Sequence, residues 1–537
     1  MIDGLKPYPE YQESGLPWLG HLPVGWNILR GKGVFHVIDV RSESGKEEIL
    51  TVSASDGVIP RRNKAVTMFM AKSYIGHKLC WPGDLVVNSL WAWMQGLGFS
   101  KYHGLISSAY SVYRPRLEFA QYWRFFHYLL RSTVYKWELQ TRSKGVWLSR
   151  LQLSDLAFLD MPILLPPKEE VSAIVKFLDH ATRRLNHAIR AKQKMIALLN
   201  EQKQVIIHRA VTRGLDPDVP LKPSGTPWLG DIPRHWELVS LKSVCFIQSG
   251  VTLGKYYAGQ SLIEYPYLRV ANVQSGHLNL EVLKSLQLPA DEANRYFLKV
   301  GDVLMTEGGD PDKLGRGCVW EGQVSPCLHQ NHIFAVRPNA KKLIPKYLSA
   351  ILGSDYAKNY FLLTAKQTTN LASTNKSTMG KFHIPLPNLQ EQNSILFDIE
   401  RLTSPIDQTV TQTERQIDLF QEFRIRLIAN VVTGKLDVRE AVRHLPNDKD
   451  EVEPDIETVD AVEEEFQESQ NRQENIKTDF FPISPIGSCA PATRGCGLAR
   501  SGPALPYSAF HRKREIQLHC MACTSAHRYP QKRQGGL

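Results

Sequence analysis

The sequence predicts a fold of class α+β/α. Two globular α/β modules are separated by two long helices that pair as an antiparallel coiled coil, with a pseudo-twofold internal repeat and a disordered C-terminal tail. Three observations predict it. SGLPWLGHLPVGWNI, from Ser14 to Ile28, returns as SGTPWLGDIPRHWEL, from Ser224 to Leu238, 210 residues later. LPPKEEVSAIVKFLD from Leu165 resembles LPNLQEQNSILFDIE from Leu386, 221 residues later. A heptad pattern of apolar residues then runs through each of the second pair of segments.

The elements follow in order. Residues 1–165 form the first module, opened by Gly15, Pro17, Trp18, Leu19, Gly20, Pro23 and Trp26. The same residues reappear at Gly225, Pro227, Trp228, Leu229, Gly230, Pro233 and Trp236 and open the second module, residues 217–385. The drift in offset means eleven extra residues in the second copy. The interiors, roughly 31–161 and 239–381, match poorly. PGDLVVNSL from Pro82 against VGDVLMTEG from Val300, and the Arg-Pro pairs ending at Pro115 and Pro338, are faint echoes. Common frames around unlike interiors suggest one architecture aimed at two targets.

Residues 166–216 and 386–440 read as long spacer helices. Ile174, Leu178, Leu185, Met195, Leu199 and Ile206 lie on the seam of the first. The same offset places Ile395, Ile399, Leu402, Ile406, Phe420, Phe423 and Leu427 on the seam of the second. Its centre is polar at Thr409 and Thr413, with Val410 and Ile417 flanking. About 45 residues at 1.5 Å each give roughly 67 Å. A stripe of that length needs another long helix to bury it; the plain alternative is two separate amphipathic helices, each lying on its own module. Antiparallel pairing puts the modules at opposite ends, and polar positions such as Lys192 and Thr409 help fix register.

Composition narrows the function. With 42% hydrophobic residues in 537, most of the chain has material for cores. The opening residues show no secretory pattern, and no apolar run reaches membrane length, so the expectation is a soluble, cytoplasmic protein without a membrane partner. Residues 447–476 hold twelve acids against two bases, a net of −10, and 477–537 carry +7, so residues 1–446 carry +14. A basic body suggests a polyanion partner, most often nucleic acid. Residues 441–537 read as a disordered tail. Its CMAC stretch, Cys520 to Cys523, has one metal-like spacing but no second pair, so no metal site is expected.

Catalytic patterns are absent. No NPPY or DPPY tetrapeptide occurs, so an amino-methyltransferase is not expected. Pro311-Asp312 is followed by Glu321-Gly322-Gln323, with glutamine where a PD…(D/E)xK nuclease needs lysine. GVTLGKY, Gly250 to Tyr256, lacks the spacing and hydroxyl of a phosphate loop, and there is no HExxH.

The duplicated PWLG…P…W openings, the P-x-x-x-E helix starts at Pro166–Glu170 and Pro387–Glu391, and the order module, helix, module, helix resemble the specificity subunit of Type I restriction-modification enzymes over about Leu5 to Val438. The resemblance implies two target-recognition domains on a double-helix spacer, reading a split, asymmetric double-stranded DNA site. It implies that this chain is not an enzyme and holds no cofactor. Two methyltransferase subunits would bind S-adenosylmethionine, and restriction/translocase subunits would use ATP and Mg. Physics agrees: reading heads about one turn, roughly 34 Å, apart can face one side of B-DNA.

Candidate DNA contacts in the first module are Arg61, Arg62, Lys64, Lys72, Lys78, Arg142 and Lys144. In the second they are Lys255, Arg269, Lys313, Arg316, Lys366 and Asn370. Arg and Asn read base edges, while Lys mostly meets phosphate. The plain alternative for any one of them is a solvated surface charge. WAWMQGLGF, Trp91 to Phe99, invites a base-stacking role, but core packing is the plainer reading, a strand with Trp91 and Trp93 on one buried face. Two other functions compete: a coiled-coil scaffold joining two protein-binding modules, and an enzyme of unrecognised motif. Salt-dependent DNA binding separates the first from a DNA reader, and unaided S-adenosylmethionine binding or DNA cleavage would favour the second.

Overall fold

The structure, a computed structural model, describes residues 5–54, 56–63, 71, 73–145, 151–226, 228–309, 314–367 and 372–446. Of the sequence expectations, the tail from residue 447 and the candidates Lys64, Lys72, Lys313 and Asn370 lie outside the described residues.

Each module is built on a four-stranded antiparallel sheet of the same order. In the first, Phe35–Ile38, Ser111–Pro115, Leu85–Val87 and Leu97–Phe99 lie side by side. In the second, the sequence is Cys245–Ser249, Ile333–Pro338, Val303–Thr306 and Gly317–Val319. The inner strands are apolar on both faces, with Leu85, Val86, Val303 and Leu304 fully buried, as expected where one face meets helices and the other meets hairpins. The helices Trp123–Leu130 and Pro345–Gly353 cover one face of each sheet, and smaller hairpins cover the other.

The faint echoes prove to be equivalent ion pairs. Arg114 Nε and Nη2 donate to Asp84 Oδ1 and Oδ2 at 2.7 and 2.9 Å. Arg337 does the same to Asp302 at 2.7 Å twice. Both aspartates are buried, and each also accepts a backbone N–H at its turn, from Trp81 and Lys299. A buried carboxylate is tolerated only when paired and hydrogen-bonded in this way.

The repeated opening and the repeated helix start meet in space. Tyr11–Glu13 pairs with His21–Pro23, and Leu221–Pro223 with Asp231–Pro233, so each opening is a hairpin, closed by Ser14 N–H to Gly20 O in the first and Ser224 N–H to Gly230 O in the second. The hairpins deliver Trp26 and Trp236 into the cores, where both are buried. The indole Nε1 of Trp26 donates to Glu170 at 3.0 Å, and that of Trp236 to Glu391 at 2.8 Å. Each glutamate is the third residue of a long helix. At that position a carboxylate also gains from the exposed N–H groups of the first turn. Tyr8 Oη and Arg439 Nη1 donate to Glu170 as well, at 2.9 and 3.2 Å.

The long helices are Lys168–Arg213 and Leu389–Val432. They touch along their lengths and run antiparallel. Lys203 Nζ meets Asp407 at 2.5 Å, Lys192 Nζ meets Gln416 Oε1 at 2.6 Å, and Arg424 pairs with Asn186, so numbers fall on one helix as they rise on the other. Val171, Ile174 and Leu178 share the first module's core with Leu427, Val431 and Val432. Ala210 and Val211 share the second module's core with Ile395. Each module is thus seated on the start of one helix and the end of the other. Gly214 and Gly434, both with positive φ, end the helices against Trp236 and Trp26 respectively. At Gly434 an added Cβ would lie 2.5 Å from Pro23, so no other residue fits that turn without displacement.

The seam departs from its predicted positions. Ile174, Leu178, Ile395, Ile406 and Leu427 are buried, and Leu185, Leu199, Ile206, Ile399 and Phe420 are half-buried. Met195, Leu402 and Phe423 are exposed instead. On the second helix the buried set moves by one residue, to Thr403 and Ile417, with Val410 half-buried. A helix of 3.6 residues per turn drifts against a strict alternation of four and three, so a pattern carried over at constant offset slips. A second correction concerns the expected tail. Residues 441–446 are ordered: the short helix Arg439–Arg443 packs Ala441 into the first module's core, with Val442 and Leu445 beside it.

Candidate nucleic-acid interface

In each sheet a hairpin joins the second inner strand to the edge strand, through residues 88–96 in the first module and, among the described residues, 307–309 and 314–316 in the second. The segment that leads back toward the long helix docks against this hairpin by a main-chain bond. Leu153 N–H donates to Ser89 O at 3.0 Å, and Thr374 N–H donates to Glu307 O at 2.8 Å. In the second module the contact extends into a small sheet of Gly308–Gly309, Ala372–Ser373 and Lys366–Gln367. In the first, Lys144 and Gln152 close the docked segment by exchanging backbone hydrogen bonds at 3.0 Å. Two unlike loops therefore form one composite edge in each module.

These edges gather some of the predicted contacts. Lys144 is exposed on the first edge. Lys366 is exposed on the second, and Arg316 is half-buried beside Thr306 at the root of the same loop. The 269–279 turn, which Arg269 opens, reaches this root through Gly276 N–H to Gly317 O. Arg142 sits at the first edge but is engaged by Glu138 at 2.6 Å and Asp160 at 3.6 Å. Such a doubly paired guanidinium first of all holds its own helix.

Other candidates lie elsewhere. Arg61 and Arg62 are on a short turn after the hairpin Leu50–Ser53 and Gly57–Pro60, with Arg62 paired to Glu48 at 3.0 Å. Lys78 is largely covered and lies 4.0 Å from Asp39. Lys255 is tied to Glu292 at 2.8 Å. The hairpin beside Arg61 is pinned from below by Arg131, which donates to Leu97 O at 2.9 Å and Ala54 O at 2.6 Å. His127, next to Arg131, accepts from Phe99 N–H at 3.3 Å. Burial, reinforced by Arg131, pushes the His127 pKa down to about 3.

The strand predicted at Trp91 and Trp93 is absent. Ala92–Met94 is a single 3-10 turn at the loop tip, and Trp91 is 56% exposed and stacked on Trp93 with ring centroids 6.4 Å apart. The period-two spacing of two tryptophans fits a turn as well as a strand, and Gly96, whose added Cβ would meet the Trp91 backbone, closes the turn. Among the described residues, no group of three His, Cys, Asp or Glu side chains is placed to hold a metal ion.

The sequence reasoning missed Ser89, Glu307 and Thr374 because their contacts are made by main chain. The signal that could have found the edges was the echo from Pro82 and Val300, which aligns the two hairpins' inner strands.

The chain is similar to several known proteins. Residues 233–418 match the family described as Type I restriction modification DNA specificity domain. The type I restriction enzyme MjaVIII specificity subunit of Methanocaldococcus jannaschii is 26% identical over 310 residues, 56% of this chain and 68% of that one. The type I restriction enzyme EcoKI specificity subunit of Escherichia coli is 20% identical over 319 residues, 58% of this chain and 65% of that one. Another M. jannaschii protein, named as a candidate MjaX specificity subunit, aligns over 38% of this chain at 26% identity and 47% of its own length. The aligned stretches thus span about half to two thirds of these relatives. A chain from a structural study of complex assembly and conformational transition of the type I R-M system superposes with a TM-score of 0.54 at 18% identity, covering 76% of this chain and 98% of that one. That likeness is one of fold.

Proposed function

We propose, for a chain that belongs to the specificity-subunit family of Type I restriction-modification systems, that it is the DNA-reading subunit of such a complex and performs no chemistry itself. The observation that carries this reading is the duplication of the composite edge. Among the described residues, the same hairpin strands and docked segment are built twice, at opposite ends of one antiparallel helix pair, and carry different residues each time. Two unlike edges on one strut read an asymmetric site in two parts, and the strut, acting as a coiled coil, sets the gap. The strut's 46- and 44-residue helices exceed the roughly 34 Å of one DNA turn, at about 1.5 Å per residue.

The partners follow from the reading. Double-stranded DNA lies against the basic modules. Two methyltransferase subunits with S-adenosylmethionine, and restriction/translocase subunits with ATP and Mg, supply the reactions. The work is done in the cytoplasm, beside the chromosome; among the described residues, no helix is long and apolar enough to cross a membrane.

The test is a genome-wide map of adenine methylation in cells carrying this chain with its methyltransferase. Two half-motifs at a fixed gap, lost when this chain is deleted, are the expected result. A continuous motif, or one that persists without the chain, overturns the proposal.

A further inference from the structure

We propose that the tryptophan tip of the first module, Leu90 to Trp93, is an apolar wedge that stacks on base or sugar faces of the DNA half-site read by that module. This rests on the DNA-reading function proposed above and says how one of its two edges makes contact.

Four observations point there. Leu90 and Trp91 are exposed at the tip, and Trp137 is half exposed on the helix Thr133–Arg142 that packs against it. An exposed aromatic group of this size on an otherwise polar surface marks an interaction site. The tip is also rigid. Trp91 N–H donates to Asn88 O, Gly96 N–H to Trp91 O and Trp93 Nε1 to Leu90 O, at 2.9, 2.9 and 3.0 Å. Gln95 holds a left-handed conformation at φ 63° and donates its side-chain amide to Ser132 O at 2.9 Å. Backbone outside the ordinary regions persists only where the surroundings enforce it, and such sites cluster at functional positions. The loop is thus braced to hold Trp91 outward rather than to bury it.

The third observation is placement. The tip belongs to the hairpin whose counterpart in the second module carries Arg316 at its root and pairs, through Gly308–Gly309, with the small sheet that holds Lys366. The fourth is charge, which selects DNA over an acid-seeking partner. Residues 1–165 hold nineteen Lys and Arg against thirteen Asp and Glu. The carboxylates near the tip are already engaged: Glu138 by Arg142, Asp155 by the Ser111 and Tyr113 hydroxyls, Asp160 by Arg30. Exposed Lys144 stands on the docked segment. Glu138 and Asp160 are neutralised by arginines and Asp155 is tied down by hydroxyls, so the module's net positive charge favours a polyanion, and an aromatic face accepts any base.

The experiment compares the full chain, in complex with its methyltransferase, with its Trp91→Ala and Trp91→Phe variants. The probe is a 40-base-pair duplex carrying the site found by methylation mapping, titrated at several salt concentrations. Stacking worth about 1–3 kcal/mol per base corresponds to a loss of roughly 5- to 150-fold for Trp91→Ala. The slope of log affinity against log salt stays unchanged, because no charge is removed, and Trp91→Phe recovers most of the affinity. Thermal unfolding checks that Trp91→Ala is folded; if it is not, Trp91→Phe and Leu90→Ser carry the comparison. Unchanged affinity in folded variants overturns the wedge. Unchanged affinity with impaired assembly identifies the tip as a protein-docking surface and equally overturns it. Failure of the unaltered complex to bind the duplex refutes instead the DNA-reading function.

Discussion

Glu170→Ala should destabilise the first module far more than Glu391→Ala destabilises the second. Glu170 accepts from three donors, Trp26 Nε1, Tyr8 Oη and Arg439 Nη1, and its side chain is 12% exposed. Glu391 accepts from Trp236 Nε1 and His235 Nε2 and is 28% exposed. Hydrogen bonds to a charged group contribute about 1.5–3 kcal/mol each, and orphaned buried donors cost about 1–3 kcal/mol. Removing the hub of three should therefore cost on the order of 3–5 kcal/mol, the range seen when one partner of a buried ion pair is deleted. At Glu391, water reaches the freed groups, and about 1–2 kcal/mol is expected. The assay is urea unfolding followed by tryptophan fluorescence, since Trp26 and Trp236 report on their own modules. Two transitions are expected, because the modules have separate cores. The reasoning is refuted if Glu391→Ala lowers its transition as much as Glu170→Ala does, or if Glu170→Ala leaves the first transition in place.

Further outcomes follow. Ile417→Lys puts a charge on a buried seam position; it should loosen the strut and lower affinity for the intact split site by about 100-fold or more, the usual gain from linking two sites, with half-site binding retained. Equal loss on half-sites would count against it. Leu199→Lys, at a half-buried seam position, should do the same more weakly. In acid, the unfolded chain protonates its histidines near 6.5 while His127 stays neutral down to about 3. Its folded pKa is depressed, so stability is lost as pH falls from 6.5 toward 3, by about 2 kcal/mol at pH 5. His329, held to about 4 by burial, adds the same in the second module. His127→Phe should flatten the first module's acid sensitivity in denaturant titrations at pH 7 and pH 5, and an unchanged slope would refute the assignment. Asp302→Asn should cost the second module about 3–5 kcal/mol by stranding Arg337, seen as an earlier transition in the same urea experiment; Asp84→Asn should cost less, because Arg114 is the more exposed arginine.

The repeat made the plan of the molecule readable. Trp26 and Trp236 were visible as structural residues because a motif shared by modules with different targets cannot choose a target. Their partners, Glu170 and Glu391, lay in plain view in the second repeated motif, yet spacing alone does not say that two motifs 144 residues apart touch. The seam was legible in composition but not in phase: Leu402 and Phe423 are more apolar than Thr403 and Arg424, and hydrophobicity chose the wrong neighbours. Burial there follows the 3.6-residue turn of the helix, which drifts off a pattern carried over at constant offset. The DNA candidates were the least legible. Nothing local distinguishes Lys144, exposed beside a loop tip, from Lys255, bound to Glu292. The Trp91 turn was misread because a 3-10 turn and a strand can both set residues two apart on one side.

At each edge a main-chain hydrogen bond joins segment to hairpin, Leu153 N–H to Ser89 O and Thr374 N–H to Glu307 O. Peptide groups are the same whatever side chain they bear. Mutation can therefore rewrite the letters displayed along either rim while leaving the clasp beneath untouched, so that novelty in what is read need not be bought with fragility in what is built.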